Sequence, residues 1–359
     1  MSEFKDILVD QSARVFDDHC GHAVVEAAEE TWPDALWAAL AEIELPLSLV
    51  DPEAGGAGAD LEDIGALIRL SGRFAAPVPI GDTMVANWLW TQAGGAAVAG
   101  PVVMVAGDDT TCTLSGPPDQ PRLSGVMQAV PWGRHASVLT VAQGPDGARL
   151  VLIPPETERR IDPQQNIAGD LRDGLTFADA AVAPDAIRAV PEGWSMRSLE
   201  EFGALIRCAQ MVGAMERALE LAIEHVNMRT QFGRPLAKFQ AIQQQLAQAV
   251  EQSASASAAL QSAIAAQMDA SSDFGFAVAV AKVVVGRAAG MVAAIAHQVH
   301  GGIGFSREYG LQHVTRRLWA WREEFGTELV WQRRIGRSVL ASKAGVWAFI
   351  TSANESLTS

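Results

Sequence analysis

Two adjacent carboxylates, Glu323 and Glu324, stand near the C-terminus in WREEFGTELVWQRRIGR, Trp321 to Arg337. A small-residue turn and a basic helical run follow them. A carboxylate beside such a turn can serve as a base; a charge pair at a helix start can equally be solvated. A second candidate is RTQFGRPLAKFQ, Arg229 to Gln240. Arg229 and Arg234 flank Phe232 and Gly233. Such an arrangement can hold an anionic phosphate with forked donors while the ring offers a flat apolar face. The plain alternative is a helix–helix connection with solvated arginines. A third is QVHGGIGF, Gln298 to Phe305. Its glycines permit a tight turn and close backbone approach, Gln298 adds an amide, and a helix C-cap is the plain alternative.

Other polar candidates are weaker. His297, His300 and His313 surround the glycine-rich turn, but their spacing suggests no zinc site, and no metal is expected. Gly133 is followed by Arg134 and His135, which read as an exposed β turn or as ligand-facing side chains. Tyr309, the chain's single tyrosine, and Phe305 could flank an acyl or adenine pocket or pack in a bundle. Trp319, Trp321 and Trp331 read as core or subunit interface.

The elements that must position these residues change along the chain. Helical patterning runs through Val24–Glu30, Pro33–Ile43 and Leu61–Gly72, with Asp60 as an N-cap after a Gly-rich loop. From Gly100 to about Pro191 short apolar runs alternate with Gly, Pro and Asp clusters, which predicts a small β barrel or sandwich. From Gly193 onward apolar residues recur every three or four positions. Long helices are expected there, one from about 235 to 269 punctuated by Asp269–Asp273, one from 274 to 298, and one after Gly326. They form a four- or five-helix bundle. The boundaries are placed at 1–97, 98–191 and 192–359.

The 359 residues carry a formal net charge of -15, which argues against nucleic-acid binding. Cys20, Cys112 and Cys208 show no CxxC spacing, so a reducing, cytoplasmic setting is expected. Residues 1 to 20 lack the apolar core of a signal peptide. The most apolar segment, from Phe274, is interrupted by Lys282 and Arg287 and reads as a buried bundle helix rather than a membrane span.

RxxFGxxxxxxQ at Arg229 followed by QxxGGxG at Gln298 resembles the paired motifs of the acyl-CoA dehydrogenase family. Leu45 to Arg73 looks like that family's N-terminal "PEEYGGxG" stretch, and the order of helices, β domain and helices also matches. The resemblance implies an α+β fold with an N-terminal helical domain, a middle β domain and a C-terminal four-helix bundle. It implies FAD as cofactor and α,β-desaturation of an acyl-CoA thioester. An electron-transfer flavoprotein would be a partner, and the assembly would be a homo-oligomer or a heteromer. It places Arg229 on the FAD pyrophosphate, with Gln231, Phe232, Leu236, Phe239 and Gln240 near the flavin. Gln298, Gly301 and Gly302 of a neighbouring subunit would support the adenine end, and Thr327 would also touch FAD.

The chain departs from the family pattern at the base. Phe325 falls where the family's glutamate precedes Gly-Thr, and Gly203 falls at the alternative base position. Glu324 is one residue away, about 100° of rotation on a helix. Gly203 leaves room that could serve a bulky acyl group. In the middle domain Ala129 and Pro131 stand where the family carries side chains that pack on the flavin, with Trp132 one position on. Three readings follow. The chain is an active dehydrogenase using Glu324 or another carboxylate, or a base-less subunit completing the FAD site of a heteromeric dehydrogenase, or a flavin-free structural protein.

Overall fold

The computed structural model describes residues 3–107, 110–268, 274–342 and 346–347. Among the described residues five α-helices come first: α1 (Glu3–His19), α2 (His22–Ala27), α3 (Asp34–Glu42), α4 (Leu61–Arg73) and α5 (Ile80–Gln92). Asp60 caps α4 as the sequence requires, its carboxylate accepting from the Asp63 N–H at 2.8 Å. Helix α5 is buried on nearly every face, and Asp82 within it is fully enclosed. A charge there needs a partner, because an unpaired buried carboxylate is prohibitively costly.

Eight strands follow: β1 (Val102–Met104), β2 (Thr111–Ser115), β3 (Arg122–Pro131), β4 (Ser137–Gly144), β5 (Gly147–Ile153), β6 (Arg160–Asp162), β7 (Arg172–Ala181) and β8 (Ile187–Ala189). They form one sheet in the order β6-β7-β3-β2-β4-β5-β8, with β1 parallel to β4. The end strands β6 and β8 do not pair with each other, so the layer is sandwich-like and the closed-barrel alternative is not realised. Strand β4 is buried on both faces from Ser137 to Ala142, which matches its unbroken apolar run.

The C-terminal half begins with α6 (Met196–Met228), a 33-residue helix. A minimal hairpin, β9 (Thr230–Gln231) and β10 (Arg234–Pro235), leads into α7 (Gln240–Met268). Helices α8 (Phe274–His300), α9 (Leu311–Glu323) and α10 (Glu328–Ala341) complete the bundle. Helix α7 starts at Gln240 rather than near 235 because Pro235 and a short 3-10 turn intervene. The expected break at Asp269–Asp273 lies outside the described residues. Helix α8 is long and apolar enough to cross a membrane, yet 61% of its most apolar window is buried inside the chain, as suits a bundle's central helix.

Helices α4 and α6 cross with backbones in contact. A Cβ on Gly72 would meet the Gln210 carbonyl oxygen at 2.0 Å, and one on Gly213 would meet the Arg69 oxygen at 1.8 Å. This crossing locks the N-terminal helices onto α6, and one apolar core runs continuously from Phe16 through Leu67 and Met211 to Trp331. The sheet keeps a separate core around Leu123, Val138 and Phe177.

Candidate functional site

Helix α9 ends at a sharp reversal. Phe325 and Gly326 take positive φ of 52° and 92°, and Thr327 caps α10 by accepting from the Val330 N–H at 3.4 Å. The reversal is held from two sides. The Trp331 indole N–H donates to the Phe325 carbonyl at 2.9 Å. The buried Lys282 ammonium donates to the Trp321 and Arg322 carbonyls at 3.1 and 2.8 Å, a cation at a helix C-terminus. Burial pushes the Lys282 pKa down to about 8.

This turn places Glu324 among guanidinium groups. Its Oε1 accepts from Arg172 Nε at 2.8 Å and from the Asn166 amide at 3.2 Å; its Oε2 accepts from Arg207 Nε at 2.6 Å. The far side of Arg207 donates to both Asp82 oxygens, at 2.8 and 3.2 Å, and to Gln210 at 2.9 Å. One ionic chain thus joins α5, α6, the end of α9 and β7. Burial alone would raise the Glu324 pKa. The charges of Arg172 and Arg207, with their hydrogen bonds, override it and hold the carboxyl at about 2. A carboxylate so acidic, with both oxygens occupied, is a poor proton acceptor. Glu323 is exposed.

Phe325 points at α6. A Cβ on Gly203 would come within 2.3 Å of the Phe325 ring, so the two positions expected to carry a base face each other as ring and glycine. The room expected at Gly203 for a bulky acyl group is filled by that ring. The Arg207 guanidinium lies 5.3 Å from the same ring.

The neighbouring sheet edge is also occupied. Ala129 and Trp132 have φ of 51° and 44° beside a register shift between β3 and β7. Trp132 is buried, with the Arg172 guanidinium 4.9 Å from its ring centre. Arg134 donates from its backbone N–H and side chain to Asp173 at 2.5 to 3.0 Å, and His135 stacks on Trp32 at 5.2 Å. These two side chains make structural contacts rather than facing an exposed turn.

The other candidate residues gather at the opposite end of α6. Arg229 follows that helix directly, and its guanidinium donates to the Gln231 amide oxygen, at 2.7 Å from Nη2, when the amide is turned to face it. Phe232, at the hairpin tip, has φ 52° and is 91% exposed. It meets Phe239 edge-on at 6.2 Å, and Arg234 lies 4.1 Å over the Phe239 ring. Leu236 packs on Ala222, Val226 and Val299, which fixes the hairpin to α6 and α8. Gln240 and Gln298 are exposed. Gly301, with φ 62°, and Gly302 present open backbone, with no atom within 4 Å of a built Cβ. Both segments share this end of one chain, where His225 of α6 stacks on His300 of α8 at 4.5 Å, so the glycine turn beside Arg229 is this chain's own, where the resemblance implied a neighbouring subunit's.

Gly203 and Arg229 are separated by the length of α6, roughly 39 Å at about 1.5 Å rise per residue. Thr327, Phe325 and Glu324 therefore form one cluster; Arg229, Gln231, Phe232, Leu236, Phe239, Gln240, Gln298, Gly301 and Gly302 form another. Of the remaining histidines, His297 bonds Thr315 at 2.9 Å between the Phe305 and Trp319 rings, and His313 bonds His22 at 2.8 Å. Among the described residues no group of three or more His, Cys, Asp or Glu could hold a metal ion.

Sequence reasoning missed Asp82, Arg172, Arg207 and Lys282. For three of them the signal was present: IGDTMVA, ALIRCAQMV and AVAKVVVG each carry one charge inside an apolar run. A charge so placed must find a buried partner.

Residues 193–340 match the family model "Acyl-CoA dehydrogenase, C-terminal domain". The chain is 25% identical over 321 residues to "Acyl-CoA dehydrogenase IpdE2" of Mycolicibacterium smegmatis, covering 88% of this chain and 93% of that protein. Its namesake in Mycobacterium tuberculosis is 26% identical over 335 residues, covering 88% and 91%. Among solved structures, the "Tcur3481-Tcur3483 steroid ACAD G363A variant" superposes with a TM-score of 0.82 at 26% identity, over 93% of this chain and 97% of that one. The ChsE4-ChsE5 complex from Mycobacterium tuberculosis shares the fold, with a TM-score of 0.86 at 21% identity over 95% and 98%.

Proposed function

Because this chain belongs to the acyl-CoA dehydrogenase family, we propose that it completes a flavin site from its Arg229 end and leaves proton abstraction to a carboxylate of a second chain. The family reaction is FAD-dependent desaturation of an acyl-CoA thioester. The observation that carries the reading is the Phe325 ring seated on Gly203. Either position could have held a base, and here each is shaped to fit the other. The carboxylate adjacent in sequence to Phe325, Glu324, is bound by Arg172 and Arg207.

The residues at the Arg229 end fit FAD. Arg229 is solvent-facing and steadied by Gln231, so its free edge can pair with a pyrophosphate. Gly301 and Gly302 leave backbone open to a ligand without a side chain in the way. The exposed Phe232 offers an apolar face that water solvates poorly and a flavin or a partner chain would cover. When bound, FAD supplies the hydride acceptor. Thr327 and the Trp132 edge lie at the far end, so a full site takes one cluster from each of two chains. We further place re-oxidation with an electron-transfer flavoprotein and the assembly in the cytoplasm.

Co-purification from the native host, with flavin quantified per chain, tests this. The expected result is a yellow heteromer in which flavin is reduced by acyl-CoA only when the second chain is present. Flavin reduction by this chain alone as a homo-oligomer would overturn the reading. A colourless heteromer that takes up no added FAD would support the flavin-free structural alternative.

A further inference from the structure

Helices α6 and α8 end side by side, and each carries a histidine in its last turn. His225 lies one turn before Arg229, whose N–H donates to the His225 carbonyl at 2.8 Å. His300 is the residue immediately before Gly301. Their rings stack with centroids 4.5 Å apart and planes 27° from parallel. His300 is further fixed. Its Nδ1 is 2.7 Å from the Ala296 carbonyl, which can only accept, so Nδ1 carries the proton. Its Nε2 then accepts from the Tyr309 hydroxyl at 3.2 Å. The Ala296 carbonyl thereby fixes the tautomer of the neutral ring, and Tyr309, the chain's single tyrosine, faces the other nitrogen.

We infer that His225 and His300 are positioning residues whose neutral ring stack holds the Arg229 hairpin and the Gly301–Gly302 turn in the one register that suits a dinucleotide. This rests on the reading that the Arg229 end binds FAD. Neither ring needs to touch the ligand. Each sits in the last turn of a helix that leads into the donor-bearing segment, and the stack ties the two helix ends together. The remaining packing there is apolar: Ala222, Val226 and Val299, with Ile242 and Leu246 from α7. Aliphatic contacts of this kind resist separation but tolerate sliding, whereas stacked rings fix a distance and an angle.

The stack is sensitive to acid. The charged groups around it are Arg217, Glu224 and Arg229 of α6, and the neutral titratable ones are His297 of α8 and the Tyr309 hydroxyl. Burial lowers the His225 pKa, aided by His300 and Arg229. Burial also lowers that of His300, against the Ala296 and Leu221 carbonyls. For a base with its folded pKa depressed, the stabilisation is complete above the ordinary histidine value and lost as pH falls below it. Protonating both rings would set two cations face to face beside Arg229.

The test is FAD titration by flavin fluorescence on the full chain with its co-purified partner, at about pH 7.5 and about pH 5.5. Wild type should bind more weakly in acid. His225→Ala should weaken binding about three- to tenfold at the higher pH. His225→Phe, which keeps a flat ring without a titrating group, should bind closer to wild type and show a flatter pH dependence. Wild-type affinity in His225→Ala, or an undiminished acid loss in His225→Phe, would overturn the inference; if His225→Ala does not fold, the His225→Phe profile decides. Arg229→Ala separates the two levels. If it weakens binding while the His225 variants do not, only the stack proposal fails; if Arg229→Ala also binds normally, the flavin reading fails.

Discussion

The Phe325 ring lies against the backbone of Gly203, so close that a Cβ there would be 2.3 Å from its Cδ1 and Cε1. Each residue is locally unfavourable. Glycine inside a helix costs about 1 kcal/mol relative to alanine, and a bulky residue at positive φ is strained. Together they are complementary: the missing side chain makes the slot, and the left-handed turn aims the ring into it.

Gly203→Ala should therefore destabilise the protein despite the better helix propensity. Overpacking costs about 1–3 kcal/mol, which outweighs the propensity gain. Adding Phe325→Ala to Gly203→Ala should cost less than the sum of the two single changes, because the clash is gone. Urea unfolding of the four proteins measures this directly. A more stable Gly203→Ala variant would mean the ring sits elsewhere in solution.

Glu324→Gln should act on stability rather than on chemistry. It leaves Arg172 and Arg207 without their shared anion, a loss of roughly 3 kcal/mol for a broken buried pair. The sign with pH follows from a carboxyl held at about 2, below its ordinary value. Its stabilisation is complete above the unfolded pKa and fades as pH falls toward 2, so the variant should lose that part of the acid sensitivity. In the flavin-loaded complex, reduction by acyl-CoA per bound flavin should persist. Its abolition with fold and flavin content intact would make Glu324 the base.

Arg229→Ala removes the cation at the hairpin. A charge-assisted contact to a pyrophosphate contributes about 1.5–3 kcal/mol, so FAD affinity should fall roughly 10- to 100-fold. Arg234→Ala should do less, since that guanidinium already lies over the Phe239 ring. Equal losses from the two would place the anion between them.

How much of this was legible in the sequence depended on whether the signal was local. Asp60 as a cap, the helical repeats of α6 and the glycine turn at Gly301 are written in neighbouring residues, and the structure has them there. The sandwich-or-barrel ambiguity could not be resolved locally, because closure depends on whether β6 meets β8 across the sheet. The meaning of WREEFGT was hidden for the same reason. Glu324 finds its partners 117 and 152 residues away, on α6 and β7. No period or spacing encodes that meeting. Charges inside apolar runs, such as Arg207, only announce that some partner must exist.

Lys282 holds the end of α9 from within the bundle. It is fully buried, with its ammonium on the final carbonyls of α9. Burial depresses its pKa to about 8, opposed by Cys208, Glu328 and Glu324 and helped by Arg207. Between that value and the ordinary lysine pKa the unfolded chain holds the extra proton, so stability from this group rises with pH, by about 1.4 kcal/mol for each unit of difference. Cys20, Cys112 and Cys208, all pushed above their usual value by burial, act in the opposite sense in alkali. The Lys282 contribution must therefore be read as the difference between wild type and Lys282→Met across about pH 7 to 10. That difference should move in favour of wild type as pH rises, while Lys282→Met frees the α9 carbonyls and loosens the turn that seats Phe325. A difference independent of pH would mean that Lys282 keeps an ordinary affinity for its proton and reaches water.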